Sequence, residues 1–156
     1  MIRSATLADI DHLLKIEKLC FSGGVSADQL FSKRRFRYLV TKAHAYTLVE
    51  ENQEIVRAYA ITLLRHKTSI ARIYSLAVDP NFQHRGIGSK LLAAIEQNAL
   101  EKHFVRIRAE VRCDNLTSQK IFEKQGYKKF GTIINYYGNH IDAFRFQRSL
   151  TRPPIA

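Results

Sequence analysis

Ile70-Ala71-Arg72-Ile73-Tyr74-Ser75-Leu76-Ala77-Val78-Asp79-Pro80-Asn81-Phe82-Gln83-His84-Arg85-Gly86-Ile87-Gly88-Ser89-Lys90-Leu91-Leu92 is the stretch on which the reading of this chain turns. A β-prone run stops at Asp79-Pro80, two glycines stand one residue apart, and an apolar-periodic segment begins at once. The order is strand, compact loop, helix. Glycine lets a backbone approach a ligand closely and tolerates positive φ. The first N–H groups of a helix lack partners and its dipole favours negative charge, so this loop is a seat for an anion, a phosphate above all. Two nucleotide sites are excluded by spacing: a dinucleotide fingerprint needs glycine where Leu91 stands, and no G-x-x-x-x-G-K-[ST] pattern surrounds Gly86.

The flanking segments extend this unit. Residues 68–78 are apolar on both parities, which predicts a central strand covered on both faces. Ile87, Leu91, Ile95 and Ala99 form one stripe of a helix over 87–102. In the strand over 105–111, Val105, Ile107, Ala109 and Val111 alternate with Arg106, Arg108 and Glu110, with Arg112 next in the series. A strand, helix and strand of these lengths make a right-handed crossover between parallel neighbours.

Upstream, residues 2–6 read as a short strand, and a helix from Leu7 carries Ile10, Leu13, Leu14, Ile16 and Leu19 until Ser22-Gly23-Gly24 ends it. A second helix is predicted over 27–41, capped by Ser26 or Asp28, with Leu30, Phe31, Tyr38 and Leu39 inward. A hairpin follows, 45–50 and 55–64 around a polar turn. Downstream, Asn115 opens a helix over 116–124 with Gly126 at its C′ position, and segments 127–137 and 141–150 flank Gly138-Asn139 as a last hairpin. The fold class is α/β: a mixed sheet with helices on both faces, one domain over 1–150 and a tail over 151–156.

With 156 residues, 46% hydrophobic and 25% charged, the chain has the means for one sizeable core. Its apolar runs fall short of the ~20 residues of a membrane helix, and Arg3, Asp9 and Asp11 stand where a secretory leader needs an apolar stretch. A cytoplasmic protein is the expectation. Cys20 and Cys113 form no ligand or disulfide pattern, and no metal site is expected. The formal charge of +11 raises the local concentration of polyanions without choosing among nucleic acid, acidic protein and phosphorylated cofactor. Within residues 33–38, Lys33, Arg34 and Arg37 share a helical face, which is either plain solvated surface or a site for an acidic partner.

Gln83-His84-Arg85-Gly86-Ile87-Gly88 follows the pattern Gln/Arg-x-x-Gly-x-Gly/Ala. Further on stand Glu110-Val111-Arg112 with Asn115, then Phe122-Glu123 and Gly126-Tyr127, then Tyr136-Tyr137 and Asp142-Ala143. Taken in order over residues 70–150, these runs resemble the GNAT superfamily of N-acetyltransferases, and within it the RimI-like branch of ribosomal-protein N-terminal alanine acetyltransferases. The resemblance implies a mostly antiparallel sheet whose one parallel pair, the central strand and the strand over 105–111, splays at its C-terminal ends. It implies acetyl-coenzyme A as cosubstrate, with pantetheine along Leu76, Ala77 and Val78. The pyrophosphate would sit on the loop of Gln83, His84, Arg85, Gly86, Ile87, Gly88 and Ser89, and Asn115 would bond the pantetheine arm as well as cap its helix. His84 is equally well read as a solvent-facing loop histidine.

By the same resemblance Glu110 is the candidate base; the plainer role is an ion pair with Arg108 or Arg112. Phe122 lies beside the coenzyme where most of the superfamily has tyrosine, the group proposed to protonate the departing thiolate. Phenylalanine has no proton to give, which leaves Tyr136 or Tyr137 as substitutes or the thiolate leaving unaided. The acceptor implied is a protein or peptide α-amine, ribosomal or acidic in character. An α-amine, with pKa near 7.7–8.0 against about 10.4 for lysine, needs less help to become a nucleophile. Two other readings stand beside it: a small-molecule amine acetyltransferase, and a basic nucleic-acid or ribosome-binding module using the mixed basic and aromatic residues 124–130, which miss the RRM signature, with no helix-turn-helix or zinc pattern in the chain.

Overall fold

The computed structural model describes residues 1–21, 30–42, 44–65 and 67–150. The strands are β1 (Ile2–Ser4), β2 (Ala45–Asn52), β3 (Ile55–Leu64), β4 (Ile70–Val78), β5 (Arg106–Arg112), β6 (Lys128–Ile133) and β7 (Ala143–Ser149). They form one sheet in the order β1-β2-β3-β4-β5-β7-β6. Every neighbouring pair is antiparallel except β4 with β5, the pair joined through a helix.

Helices α1 (Ile10–Phe21) and α2 (Lys33–Thr41) pack on one face, α3 (Ile87–Glu101) and α4 (Leu116–Lys124) on the other. On the α3 face Ile87, Leu91, Ile95 and Ala99 meet Ala71, Ile73, Ile107 and Ala109, all buried. On the α1 face Ile10, Leu13, Ile16, Phe36 and Leu39 meet Val49, Tyr59, Ile61 and Ala77. Each fully buried aliphatic side chain contributes about 1.5–3 kcal/mol of transfer free energy, so both layers hold the sheet.

Several boundaries differ from the sequence reading. β1 ends at Ser4, and Leu7–Asp9 is a 3-10 turn before α1. The turn is pinned because the Asp9 carboxylate accepts from Thr6 N at 2.7 Å and from Arg3 Nη1 at 2.8 Å. Leu19 is exposed, off the buried face of α1. α2 begins at Lys33, with Ser32 Oγ accepting from Arg35 N at 3.1 Å as its cap. From that start Phe36 and Leu39 turn inward and Tyr38 faces out, where Arg35 and Lys42 lie over its ring. The expected stop at Ser22-Gly23-Gly24, the caps at Ser26 and Asp28, and the tail over 151–156 lie outside the described residues. The last hairpin is shorter than expected, so Tyr136 and Tyr137 sit in the β6–β7 loop rather than in a strand.

Candidate active site

The parallel pairing of β4 with β5 runs from Ile70↔Arg106 to Ile73↔Ala109 and stops. β4 continues to Val78 alongside β3, and β5 continues to Arg112 alongside β7, so the two ends part. A bulge explains where. In the β3–β4 register Ile61 faces Ser75 and Thr62 faces Ile73, which leaves Tyr74 as the extra residue. Such a residue bends and twists its strand. The gap is a cleft of about 890 Å³, with Ser75 and Leu76 on one wall and Glu110, Val111, Asn115, Phe122, Tyr136 and Tyr137 among its other lining residues.

Beyond Ile73 one edge of β4 is unpaired by any strand among the described residues. Asp79 N donates to Arg57 O at 2.8 Å on the β3 side. Strand alternation then turns the peptide groups of Leu76 and Val78 to the open edge, and that of Ala77 to β3. Ala77 is thus removed from the expected ligand-facing set; its side chain is buried under α1. The Val78 carbonyl already accepts from Cys20 Sγ at 3.1 Å and Gln83 Nε2 at 3.2 Å, so Val78 offers its N–H.

The chain then enters the loop and α3. Gly86 is the N-cap residue with φ +77°, no side chain caps the helix, and a Cβ added at Gly86 meets nothing within 4 Å. Open space and a left-handed backbone beside N–H groups of Ile87, Gly88 and Ser89 that have no partner among the described residues fit an anion. Gly88 serves differently. A Cβ there lies 3.3 Å from Ile121 Cδ1, so its smallness lets α3 pack against α4. His84 and Arg85 are exposed, with the Arg85 guanidinium 5.4 Å from the Phe82 ring centroid. Residues 83–89 do not line the cleft itself; they continue its β4 wall outward.

On the opposite wall Glu110 carries an ion pair, but with neither expected arginine. Arg72 Nε donates to Glu110 Oε2 at 3.1 Å from β4, and Arg145 Nε lies 3.8 Å from Oε1 on β7. Arg112 instead pairs with Asp114 at 3.0 Å, and Arg108 Nε donates to Gln147 Oε1 at 3.2 Å. Arg72 Nη2 also donates to Tyr136 Oη at 2.7 Å. Tyr137 Oη donates to the Glu110 carbonyl at 3.4 Å, and burial pushes that phenol up from its ordinary value. Asn115 Oδ1 accepts from Ser118 N at 3.1 Å as the α4 cap, leaving its NH₂ group for a ligand. Phe122 is buried and stacked on Phe146, an apolar floor.

Residues that sequence reasoning missed complete the cleft: Arg72, Tyr74 and Ser75 from β4, and Glu17, Cys20 and Phe31 from the α1 side. Glu17 accepts from Phe31 N at 3.1 Å and from the Tyr59 hydroxyl, and burial raises its carboxyl above the usual range. Burial likewise pushes the Cys20 thiol up to about 11. A signal for Glu17 was present. It stands four residues after Leu13 and seven after Ile10, a carboxyl on the apolar stripe of α1.

The sequence profile of the acetyltransferase (GNAT) family matches residues 10–127. The [ribosomal protein bS18]-alanine N-acetyltransferase of Haemophilus ducreyi is 35% identical over 63 residues, covering 40% of this chain and 43% of that protein. The sequence match thus spans under half the length of that relative. The crystal structure of the ribosomal-protein-S18-alanine N-acetyltransferase from Escherichia coli superposes with a TM-score of 0.85 at 20% identity, over 99% of this chain and 96% of that one. The PaiA N-acetyltransferase from Thermoplasma acidophilum, in complex with coenzyme A, gives 0.82 at 17% identity over 96% and 98% of the two chains.

Proposed function

We propose, because the chain belongs to the acetyltransferase (GNAT) family, that it transfers the acetyl group of acetyl-coenzyme A to the N-terminal α-amine of a protein or peptide. The observation that carries this reading is the open edge of β4 beyond Ile73, which leads directly into the uncapped, left-handed start of α3 at Gly86. An extended pantetheine arm adds to such an edge as a strand would, bonding the peptide groups of Leu76 and Val78, with the Asn115 amide donating from the far side. The N–H groups of Ile87, Gly88 and Ser89 hold the pyrophosphate. Bound there, acetyl-coenzyme A supplies a thioester carbonyl to the cleft.

The amine approaches from the α1 side, where Glu110 lies between Arg72 and Arg145. Glu110 takes a proton from the incoming ammonium, and the short α-amine pKa gap to neutrality keeps that step modest. Tyr136, whose oxygen accepts from Arg72, keeps its own proton for the departing thiolate. Tyr137, already donating to the Glu110 backbone, holds the loop in place.

The acceptor's next residues are acidic. Arg72, Arg108 and Arg145 lie on the Glu110 face of the sheet, with Arg106 two residues before Arg108 on β5, so cations outnumber carboxylates around Glu110. Complementary charge steers association and disfavours basic partners. On α2, Lys33 is 3.4 Å from Asp11 in an exposed pair of little weight, and Arg34 and Arg37 are exposed. Free Cys20 and Cys113 accord with a cytoplasmic setting, and no helix among the described residues is long and apolar enough to cross a membrane.

The test is turnover of acetyl-coenzyme A with four acceptors: an acidic peptide with a free N-terminus, a basic one, an acidic peptide blocked at its N-terminus but holding an internal lysine, and a polyamine. The free acidic peptide is expected to be the best substrate. Preference for the polyamine would replace this reading with small-molecule acetylation, and coenzyme binding without any turnover would replace it with a binding module.

A further inference from the structure

The cleft has a second carboxyl, Glu17, on the wall opposite Glu110. It is connected to the β4 wall by hydroxyls. Ser75 Oγ lies 3.3 Å from Tyr59 Oη, and Tyr59 Oη donates to Glu17 Oε2. Ser75 and Glu17 line the cleft, while Tyr59 between them is fully buried.

The directions of these bonds are consistent with transfer one way. Tyr59 gives its proton to Glu17, so its oxygen is free to accept from the Ser75 hydroxyl, whose own lone pairs then face the cleft. Phe31 N donates to the other Glu17 oxygen, which fixes the carboxyl against the chain. The titratable groups acting on Glu17 among the described residues are Tyr59 on β3 and Cys20 on α1, with Asp79 beyond Cys20; no cation is among them. Burial raises the Glu17 carboxyl, which makes it the stronger proton acceptor for it.

The chemistry needs such an acceptor. An α-ammonium enters with three N–H bonds and its amide leaves with one. As the nitrogen–carbon bond forms and the carbon–sulfur bond breaks, two protons leave the nitrogen while the thiolate takes its proton from Tyr136, which is reprotonated from water, so each nitrogen proton needs its own acceptor on the protein. Ionisation of the ammonium and loss of the later proton are separate events, and Glu110 is engaged at the first.

We propose that Ser75, Tyr59 and Glu17 form a proton relay that takes the later proton from the reacting nitrogen: Ser75 Oγ accepts it, the Ser75 proton moves to Tyr59, and the Tyr59 proton moves to Glu17. Ser75 is the catalytic residue of the three; Tyr59 and Glu17 act through it. The relay rests on the acetyl-transfer reading, and the experiment separates the two.

Ser75→Ala, Tyr59→Phe, Glu17→Gln and the double variant Tyr59→Phe/Glu17→Gln are measured for kcat, coenzyme A affinity and thermal unfolding. Each single variant is expected to lose about 10²-fold in kcat with coenzyme affinity unchanged. The double variant loses no more than a single one, because a broken chain breaks once. The acid-side step of the kcat profile, present in the wild type, is absent from Glu17→Gln. Full activity of folded Ser75→Ala or Tyr59→Phe, additive losses in the double variant, or persistence of that step in Glu17→Gln overturns the relay. A wild type that acetylates no amine overturns the acetyl-transfer reading and the relay together, whereas an active wild type with equally active variants overturns the relay alone.

Discussion

The two halves of the β4–β5 pair are made from the same strands and do opposite things. In the paired half, Ile70–Ile73 against 106–109, Ala71, Ile73, Ile107 and Ala109 are buried beneath α3 and the backbone edges satisfy each other. In the parted half, the peptide groups of Leu76 and the N–H of Val78 turn to the open edge of β4, beside a cleft that also holds Glu110, Ser75 and Tyr136. The side-chain alternation of β5 does not change between the halves: Arg106, Arg108, Glu110 and Arg112 stay on one face throughout. What changes is pairing, and the bulge at Tyr74 sets the point of change. Packing there gives way to binding because the backbone, not the composition, is left unfinished.

Substitutions in the two halves should therefore separate catalysis from stability. The largest effect is expected from Glu110→Gln: a fall of roughly 10²–10⁴ in kcat, steepest below the acceptor amine's pKa, with the unfolding midpoint little moved. Ile107→Ala, from the paired half, should cost about 2–5 kcal/mol of stability and leave kcat per folded molecule unchanged. Steady-state rates beside denaturant melts check both. Loss of activity in folded Ile107→Ala, or an unaltered pH profile in Glu110→Gln, would break the division.

Gly86→Ala is expected to be smaller, about 1–2 kcal/mol for an L-residue held at a left-handed φ, since a Cβ there meets no neighbour. Calorimetry should show weaker coenzyme A binding with little change in the core. Gly88→Ala sharpens the contrast: its Cβ presses on Ile121, so it should loosen α3 from α4 in the melt as well as weaken binding.

The smallest effect is a pH dependence. The folded value of Glu17 is raised above 4.5 by burial, so the fold favours the protonated carboxyl. Its contribution to stability is fully present below about 4.5 and is lost as pH rises through the folded value. Glu17→Gln should therefore gain on the wild type as pH rises above about 4.5 and level off beyond the folded value, as denaturant midpoints across pH will register. Asp9, lowered by Arg3, runs the other way, losing its contribution as pH falls from 3.8 toward the folded value. A stability gap between Glu17→Gln and wild type that ignores pH would contradict the desolvated setting of Glu17.

Much of this was legible in the chain. The bounds of β3 and α4, the apolar stripe of α3, the alternation of β5 and the glycine loop all follow from local periodicity and turn chemistry. Glu110 stood out in the sequence as a candidate and lines the cleft, but its partners were not legible. Residues two apart on a strand are about 6.6–7 Å apart, while neighbours across strands are nearer; Arg72 and Arg145 reach Glu110 through registers that no local pattern encodes. The Ser75–Tyr59–Glu17 chain needs β4, β3 and α1 assembled at once. Tyr38 was misjudged because α2 starts at Lys33, which resets its inward face.

The central claim is that the unpaired half of β4 and the start of α3 are the seat of acetyl-coenzyme A. Amide hydrogen exchange with and without saturating coenzyme A tests it most directly. The account predicts slowed exchange at Leu76, Val78, Ile87, Gly88 and Ser89, with Ala71 and Ile107 unchanged. Protection confined to other segments, or none at all, would contradict it.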